Sequence, residues 1–397
     1  MLALKKGAPL FKSNFTYGIT YTHHAWEHGA EMIKPISKIQ NQHIMGWGAG
    51  NPWPAKDAPM DFSSLDNRMA ALQTMGGEIW LTLCQAPGWM KGGSEHDWAM
   101  EKCVLEEYED DFAHLCAEIA KRYPQVTTFQ VWNEFKGYMK NNKWDYVGYT
   151  RIYNKVYKAV KQARPDAIIG GFYMVFEGDG TQEEFGLEAV HSYTPLSDFQ
   201  REATIYWRDH CTSADYFLLD RGVVDYHNYT QPPHFKPSVE QLLHLTKYYK
   251  KVTEELTELV DLPIVYSEFY GDTHLLPPNS HEEITAVYAS IYYNMIMGAK
   301  GRELKALLWL ETETEFVNHA IFTPDGEALP HYHAVKKLVD NFPHGTQLYN
   351  VETGTEQIEA FASDRCFYVI NKSSSPIDLE INGKTHTLQP FGVEIYG

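Results

Sequence analysis

The sequence predicts an α/β protein: a (β/α)8 barrel of the TIM type, with a small antiparallel β domain at its C-terminal end. Three observations predict it. Strand and helix signals alternate from about residue 17 to residue 340, the pattern of βα units around a parallel sheet. Two runs in that series, residues 127–131 and 262–270, deliver a glutamate at their C-terminal ends, Glu134 and Glu268. Barrels of this kind gather their chemistry at that end of the strands. After Phe342 the helical periodicity gives way to short β runs separated by turns such as Asn382-Gly383. The 397 residues suit one barrel of about 250 residues or more plus an appendage. The expected division is a barrel over 15–341 and a β domain over 342–397, the latter open to completion by residues 1–14.

In chain order, strand one is expected at 17–21, followed by a loop holding His23, His24 and Trp26. Strand two is expected at 44–48, before a loop rich in Gly, Pro and Trp. A helix over 63–75 leads to strand three at 78–83, which runs into the turn-rich Gln85-Ala86-Pro87-Gly88-Trp89. Phe112, Leu115 and Ile119 fall at helical spacing within 106–122, and Pro124 ends that helix. Strand four is Thr127-Thr128-Phe129-Gln130-Val131, closing in Trp132-Asn133-Glu134. A helix over 145–164 precedes strand five at 167–173. A polar insertion without clear periodicity then runs from Glu177 to about Thr204, expected to lie over the barrel top. Strand six is placed at 223–229, a helix at 238–260, strand seven at 262–270, a helix at 281–298, strand eight at 304–310 and a closing helix at 331–340. The β runs of the tail are 357–361, 366–370, 377–381, 385–388 and 393–396.

Composition narrows the function. A net charge of −18 and a pI near 5.4 argue against nucleic acid or an anionic membrane as partner. No run approaches the ~18 apolar residues of a membrane helix. Aromatic residues make up 14% of the chain, with 10 Trp and 26 Tyr, side chains whose flat faces and polar edges suit sugar rings. The five cysteines are scattered, as expected of free thiols in a reducing compartment, and no Cys/His spacing resembles a zinc site. Residues 1–12 lack a signal-peptide apolar core, so a cytoplasmic location is expected; a start trimmed from a longer chain would leave secretion open. No cofactor or metal is called for, and a homo-oligomer stays open.

The chemistry rests on the two glutamates. At the ends of strands four and seven they face each other across the barrel mouth. A retaining glycosidase needs such a pair about 5–5.5 Å apart, one as acid/base and one as nucleophile. Glu134 beside Asn133 suits the acid/base, Asn133 suits a contact to the sugar 2-hydroxyl, and Glu268 suits the nucleophile. Tyr229 or His227 would hold Glu268 ionised by hydrogen bonding. Two ordinary strand-end glutamates are the competing explanation. Trp26, Trp47, Trp53, Trp89 and Trp309 fall at or just past strand ends, as sugar platforms or as loop packing; Trp309 and Trp89 are the favoured platforms. His24 and Asn228 are candidates for substrate hydroxyls. Glu311, Glu313 and Glu315 read as a solvated acidic loop, and Cys84 as core.

The chain resembles glycoside hydrolase clan A, the retaining (β/α)8 glycosidases, over about residues 15–340. The resemblance is carried by Trp132-Asn133-Glu134, His227-x-Tyr229, Glu268 and Trp309. The Val-Trp-Asn-Glu run and the added β domain look most like the family of bacterial β-xylosidases and α-L-iduronidases. Two positions depart from the clan pattern: Phe135 stands where many members have Pro, and the expected strand two lacks their terminal Arg. The resemblance implies a retaining hydrolase acting on a β-type bond of an oligosaccharide or glycoside by double displacement. Long loops after strands one, two and five favour exo action. The alternatives are an endo-acting glycanase of the same clan and a non-catalytic carbohydrate-binding barrel. A metal-dependent barrel hydrolase would need a ligand cluster that residue spacing does not reveal.

Overall fold

The computed structural model describes residues 1–21, 29–94, 102–141, 143–176, 196–223, 238–273, 276–277, 280–313 and 318–397. The chain opens with β1 (Leu2–Ser13) and enters the barrel through β2 (Phe15–Tyr21), β3 (Ile39–His43), β4 (Glu78–Leu83) and β5 (Val126–Val131). A small hairpin, β6 (Met139–Lys140) and β7 (Lys143–Trp144), follows β5. The barrel resumes with β8 (Ile168–Val175), β9 (Tyr216–Gly222), β10 (Ile264–Tyr270) and β11 (Leu304–Trp309). The helices are α1 (Ala30–Ile33), α2 (Ser63–Met75), α3 (Glu109–Arg122), α4 (Tyr146–Ala163), α5 (Asp198–His210), α6 (Val239–Leu245), α7 (Lys247–Val260), α8 (His281–Ala299) and α9 (Pro330–Asn341).

The barrel closes in the order β10-β11-β2-β3-β4-β5-β8-β9, and every pairing is parallel. Strands such as Ile264-Val265-Tyr266-Ser267-Glu268-Phe269 are buried throughout, because helices cover one face and the filled lumen the other. Ile39, Trp80, Tyr173, Tyr216, Leu218, Val265 and Leu307 form one apolar cluster contributed by six barrel strands. A polar set joins other barrel strands. Asn41 donates to the hydroxyls of Thr20 at 3.1 Å and Thr82 at 3.0 Å, and Ser267 hydrogen-bonds Gln130.

That polar set explains why strand two lies at Ile39–His43 and not at 44–48. The run Gln40-Asn41-Gln42-His43 lacks apolar alternation, yet all four residues are buried, and Gln40 and Asn41 pair with neighbouring side chains. Strand six is likewise Tyr216–Gly222 and not 223–229. Its Asp220-Arg221 pair reads as a surface turn, but both residues are buried, with Arg221 donating to the Phe176 carbonyl and lying 5.5 Å from the Tyr249 ring centroid. His227 and Tyr229 therefore follow the strand and lie outside the described residues. The end of the insertion expected from Glu177 to about Thr204 is instead α5, whose start is a capping box built by Ser197 and Gln200, and 177–195 lies outside the described residues. The helix expected over 238–260 is two, separated at Thr246, whose hydroxyl bonds Leu243 O and Ser290 Oγ.

The remaining strands are β12 (Thr346–Glu352), β13 (Ile358–Ala362), β14 (Phe367–Asn371), β15 (Ile377–Ile381), β16 (Lys384–Leu388) and β17 (Val393–Tyr396). They form a sheet ordered β16-β15-β1-β12-β13-β14-β17. Only the β1–β15 pair is parallel. The sheet rests on α8, where Tyr293 stacks on Phe361 at 5.8 Å and Glu359 accepts from Ser290, Asn294 and Lys372. Among the described residues no helix is long and apolar enough to cross a membrane.

Candidate active site

The site begins where β5 stops. Trp132, Glu134 and Phe135 all have positive φ, 68°, 48° and 54°, so the chain breaks sharply from the strand. Non-glycine residues held there cost about 1–3 kcal/mol each and persist only where the surroundings over-determine them. The surroundings do so here. The Trp132 indole donates to Lys136 O at 2.6 Å and packs edge-on against Phe112 and Tyr138. Phe135, the residue in the clan's proline position, stacks on Tyr149 at 4.3 Å. Gly137, at φ 81°, passes so close to the Cys103 nitrogen that a Cβ would sit 2.0 Å from it. With Trp132 and Phe135 buried as anchors, Glu134 keeps a side chain 15% exposed.

Glu268 is placed by an irregularity of β10. Tyr266 pairs with Leu219 and Glu268 with Asp220, so Ser267 is an extra residue on this strand. Bulges of this kind re-aim side chains next to active sites. Glu268 is 4% exposed and accepts from Tyr270 OH at 2.5 Å and Tyr173 OH at 3.3 Å. His43, the last residue of β3, brings Nε2 to 3.9 Å from Glu268 Oε1 and 3.5 Å from Asn133 Oδ1. One carboxylate oxygen each from Glu134, Asp220 and Glu268 lies within 4.8 Å of the other two. Asn133 Nδ2 lies 3.5 Å from Glu134 Oε2, and Lys136 Nζ lies 2.5 Å from the same oxygen.

The charges order themselves unequally. Burial works against ionising Glu134, but the Lys136 ammonium and a hydrogen bond with Asp220 outweigh it and hold this carboxyl below the ordinary range. Burial first, and the negative Glu134 second, push Glu268 up to about 8 against the Tyr270 hydrogen bond. Lys136 and burial thus favour the charge on Glu134 and the proton on Glu268. Burial lowers His43 to about 4, so its ring is neutral at ordinary pH. Among the described residues, Glu134, Asp220 and Glu268 are the one set that could converge on a cation, a convergence that residue spacing does not reveal. Lys136 already supplies a positive charge there.

Of the residues singled out in the sequence, Asn133, Glu134 and Glu268 come together. Trp309, at the end of β11, stands edge-on to Tyr270 at 5.9 Å and so flanks the pair. Trp89 lies in a separate aromatic group with Trp53 and Tyr108, its indole N–H donating to Trp53 O at 2.9 Å. Trp47, not favoured beforehand, covers His43 at 4.1 Å. His24, Trp26, His227, Asn228, Tyr229 and Glu315 lie outside the described residues. Glu311 is not solvated: it is 6% exposed, and burial raises it to about 7. Sequence reasoning missed His43, Lys136, Tyr173, Asp220 and Tyr270. Tyr270 had a signal, since it is two residues beyond Glu268 on one strand and shares its face.

No family model matches the chain, and no curated protein matches it. Solved structures do. A monomeric β-xylosidase from Caulobacter crescentus superposes with a TM-score of 0.62 at 13% identity, over 96% of this chain and 82% of that one. A glucosidase from Croceicoccus marinus gives 0.61 at 10% identity, over 100% and 84%. A GH30 endoxylanase from Clostridium papyrosolvens gives 0.56 at 10% identity, over 99% and 92%. These three are a xylosidase, a glucosidase and an endoxylanase, and the likeness establishes the barrel with its appended β sheet.

Proposed function

We propose that the protein is a retaining glycoside hydrolase that cleaves a β-type bond of an oligosaccharide or glycoside by double displacement. The observation that carries this reading is the approach of Glu134 and Glu268 to within 4.8 Å at the barrel mouth. Oxygens that close favour a retaining pair, held about 5–5.5 Å apart, over an inverting one, whose carboxyl groups stand about 6.5–9.5 Å apart to admit a water. Glu134 serves as acid/base, Glu268 as nucleophile, and Asn133 binds the 2-hydroxyl. Tyr270 and Tyr173 supply the hydrogen bonds that a Glu268 carboxylate needs, the part assigned in the sequence to Tyr229 or His227. Exo action is favoured by the length, in the sequence, of the segments that follow strands one, two and five.

The reading requires a proton to move. Double displacement starts with Glu268 ionised and Glu134 protonated, the reverse of what burial and Lys136 favour. The transfer follows if the entering sugar parts Lys136 from Glu134, and the Lys136 stem, 27% exposed, has room to swing. The same observation favours a second reading, in which Glu268 is the acid and Glu134 the nucleophile. Incubation with a panel of aryl glycosides, with the first-formed anomer followed by NMR, tests the proposal. Release of a sugar of retained configuration supports it. Inversion removes double displacement, and no release from any glycoside leaves the non-catalytic carbohydrate-binding barrel.

A further inference from the structure

We propose that His43 is a positioning residue: a neutral imidazole that donates from Nε2 and so fixes which way the Asn133 amide points. The inference rests on the functional reading above and adds to it a residue outside the carboxylate pair. His43 Nε2 faces two acceptors, Asn133 Oδ1 at 3.5 Å and Glu268 Oε1 at 3.9 Å. An imidazole nitrogen pointing at two acceptors carries the hydrogen. The other nitrogen, Nδ1, is buried and has no hydrogen-bond partner among the described residues, which suits a bare lone pair better than a second N–H. The ring is fully buried and lies against Trp47 at 4.1 Å, so it has little freedom to turn.

The consequence falls on Asn133. An amide can present either end to a given neighbour. A donor at His43 Nε2 holds Oδ1 on the β3 side and turns Nδ2 toward Glu134, where it stands 3.5 Å from Oε2. Nδ2 is then the atom offered to a sugar hydroxyl beside the scissile bond. These contacts are long in the unliganded site, as catalytic hydrogen bonds often are before substrate tightens them. Because burial keeps the ring neutral well below pH 6, it orients both acceptors without adding a charge that would compete with Lys136 for them. An arginine at the end of this strand, common in the clan, would add that charge.

The test compares the best aryl glycoside of the panel with its 2-deoxy counterpart. His43→Leu should lower kcat/KM on the parent glycoside by up to about tenfold, the worth of one neutral hydrogen bond. On the 2-deoxy substrate it should change by less than about twofold, because the contact His43 orients is absent. His43→Gln, whose amide nitrogen reaches the position of Nε2, should restore most of the loss. Should the Leu variant not fold, His43→Gln against the shorter His43→Asn carries the same comparison. Equal losses on both substrates, or a Gln variant no better than Leu or Asn with an unchanged melting temperature, overturn the inference. A wild type that hydrolyses no glycoside overturns the functional reading, and this inference with it.

Discussion

Replacing Lys136 by Gln should change which carboxylate holds the proton. The ammonium lies 2.5 Å from Glu134 Oε2. At that distance a unit charge is worth about 1.7 kcal/mol in the dielectric of water and about 7 kcal/mol at an effective dielectric of 20. With about 1.36 kcal/mol per pKa unit, removing it should raise Glu134 by at least about one unit. Glu268 should rise less, because the ammonium acts on it more weakly than burial, Glu134 or Tyr270 does. The gap between the two carboxyls narrows, and the form with the proton on Glu134 becomes about tenfold more populated.

The assay is the pH dependence of kcat/KM on an activated aryl glycoside and on an alkyl glycoside with a poor leaving group. Wild type should show a basic limb near 8 and an acid limb below the usual carboxylate range, both belonging to the coupled pair. In Lys136→Gln the acid limb should move up by about one unit or more. The alkyl substrate should gain relative to the aryl one, since only the poor leaving group needs a proton from Glu134. An active, folded variant whose acid limb stays within about 0.3 unit of wild type, with the alkyl-to-aryl ratio unchanged, would refute the reasoning.

Three further outcomes are expected. Trp309→Ala should raise KM several-fold and leave the melting temperature within a few degrees, whereas unchanged kinetics on the best substrate would make Trp309 a packing residue. Glu311, raised to about 7, holds in the folded state a proton that the unfolded chain releases near pH 4.5, so its contribution to stability falls as pH rises through that window. Glu311→Gln should flatten that fall and stabilise the protein at pH 8 by on the order of 3 kcal/mol; parallel stability curves from pH 4.5 to 8 would argue against it. With azide and an activated substrate, Glu134→Ala should yield a β-glycosyl azide of retained configuration and Glu268→Ala at most an inverted product, and the opposite stereochemistry would reverse the two roles.

The barrel was legible because six of its strands read as apolar runs close to their observed positions, and so were the two glutamates, as carboxylates ending such runs. What stayed hidden was polar. Gln40-Asn41-Gln42-His43 is a strand without apolar alternation, since Gln40 and Asn41 are satisfied by the neighbouring strand rather than by water. Asp220-Arg221 looks like a turn for the same reason. A displaced strand six carried the assignment of Glu268's partners to His227 and Tyr229, while Tyr270, on the same strand as Glu268, went unread. Glu311 was taken for surface because its acidic neighbours alternate, but the chain folds back so that Ile321 and Phe322 donate to its carbonyl and the side chain is buried.

One of the two departures from the clan A pattern, the missing arginine of strand two, can be read from the charges of this site. Where many members place an arginine at the end of strand two, this chain has a neutral histidine, so no fixed cation stands beside Glu268 from that side. Three carboxylates within 4.8 Å of one another would repel strongly without one. The positive charge comes instead from Lys136, on the loop after β5, which pairs directly with Glu134 and acts on Glu268 only from farther off. A lysine on a loop differs from an arginine on a strand in one further respect: its flexible stem lets it leave. On the proposed mechanism, the site rests with Glu134 paired and inactive as an acid, and becomes competent when a substrate separates the pair. His43 holds Asn133 in place throughout, because a neutral donor is indifferent to where the proton goes.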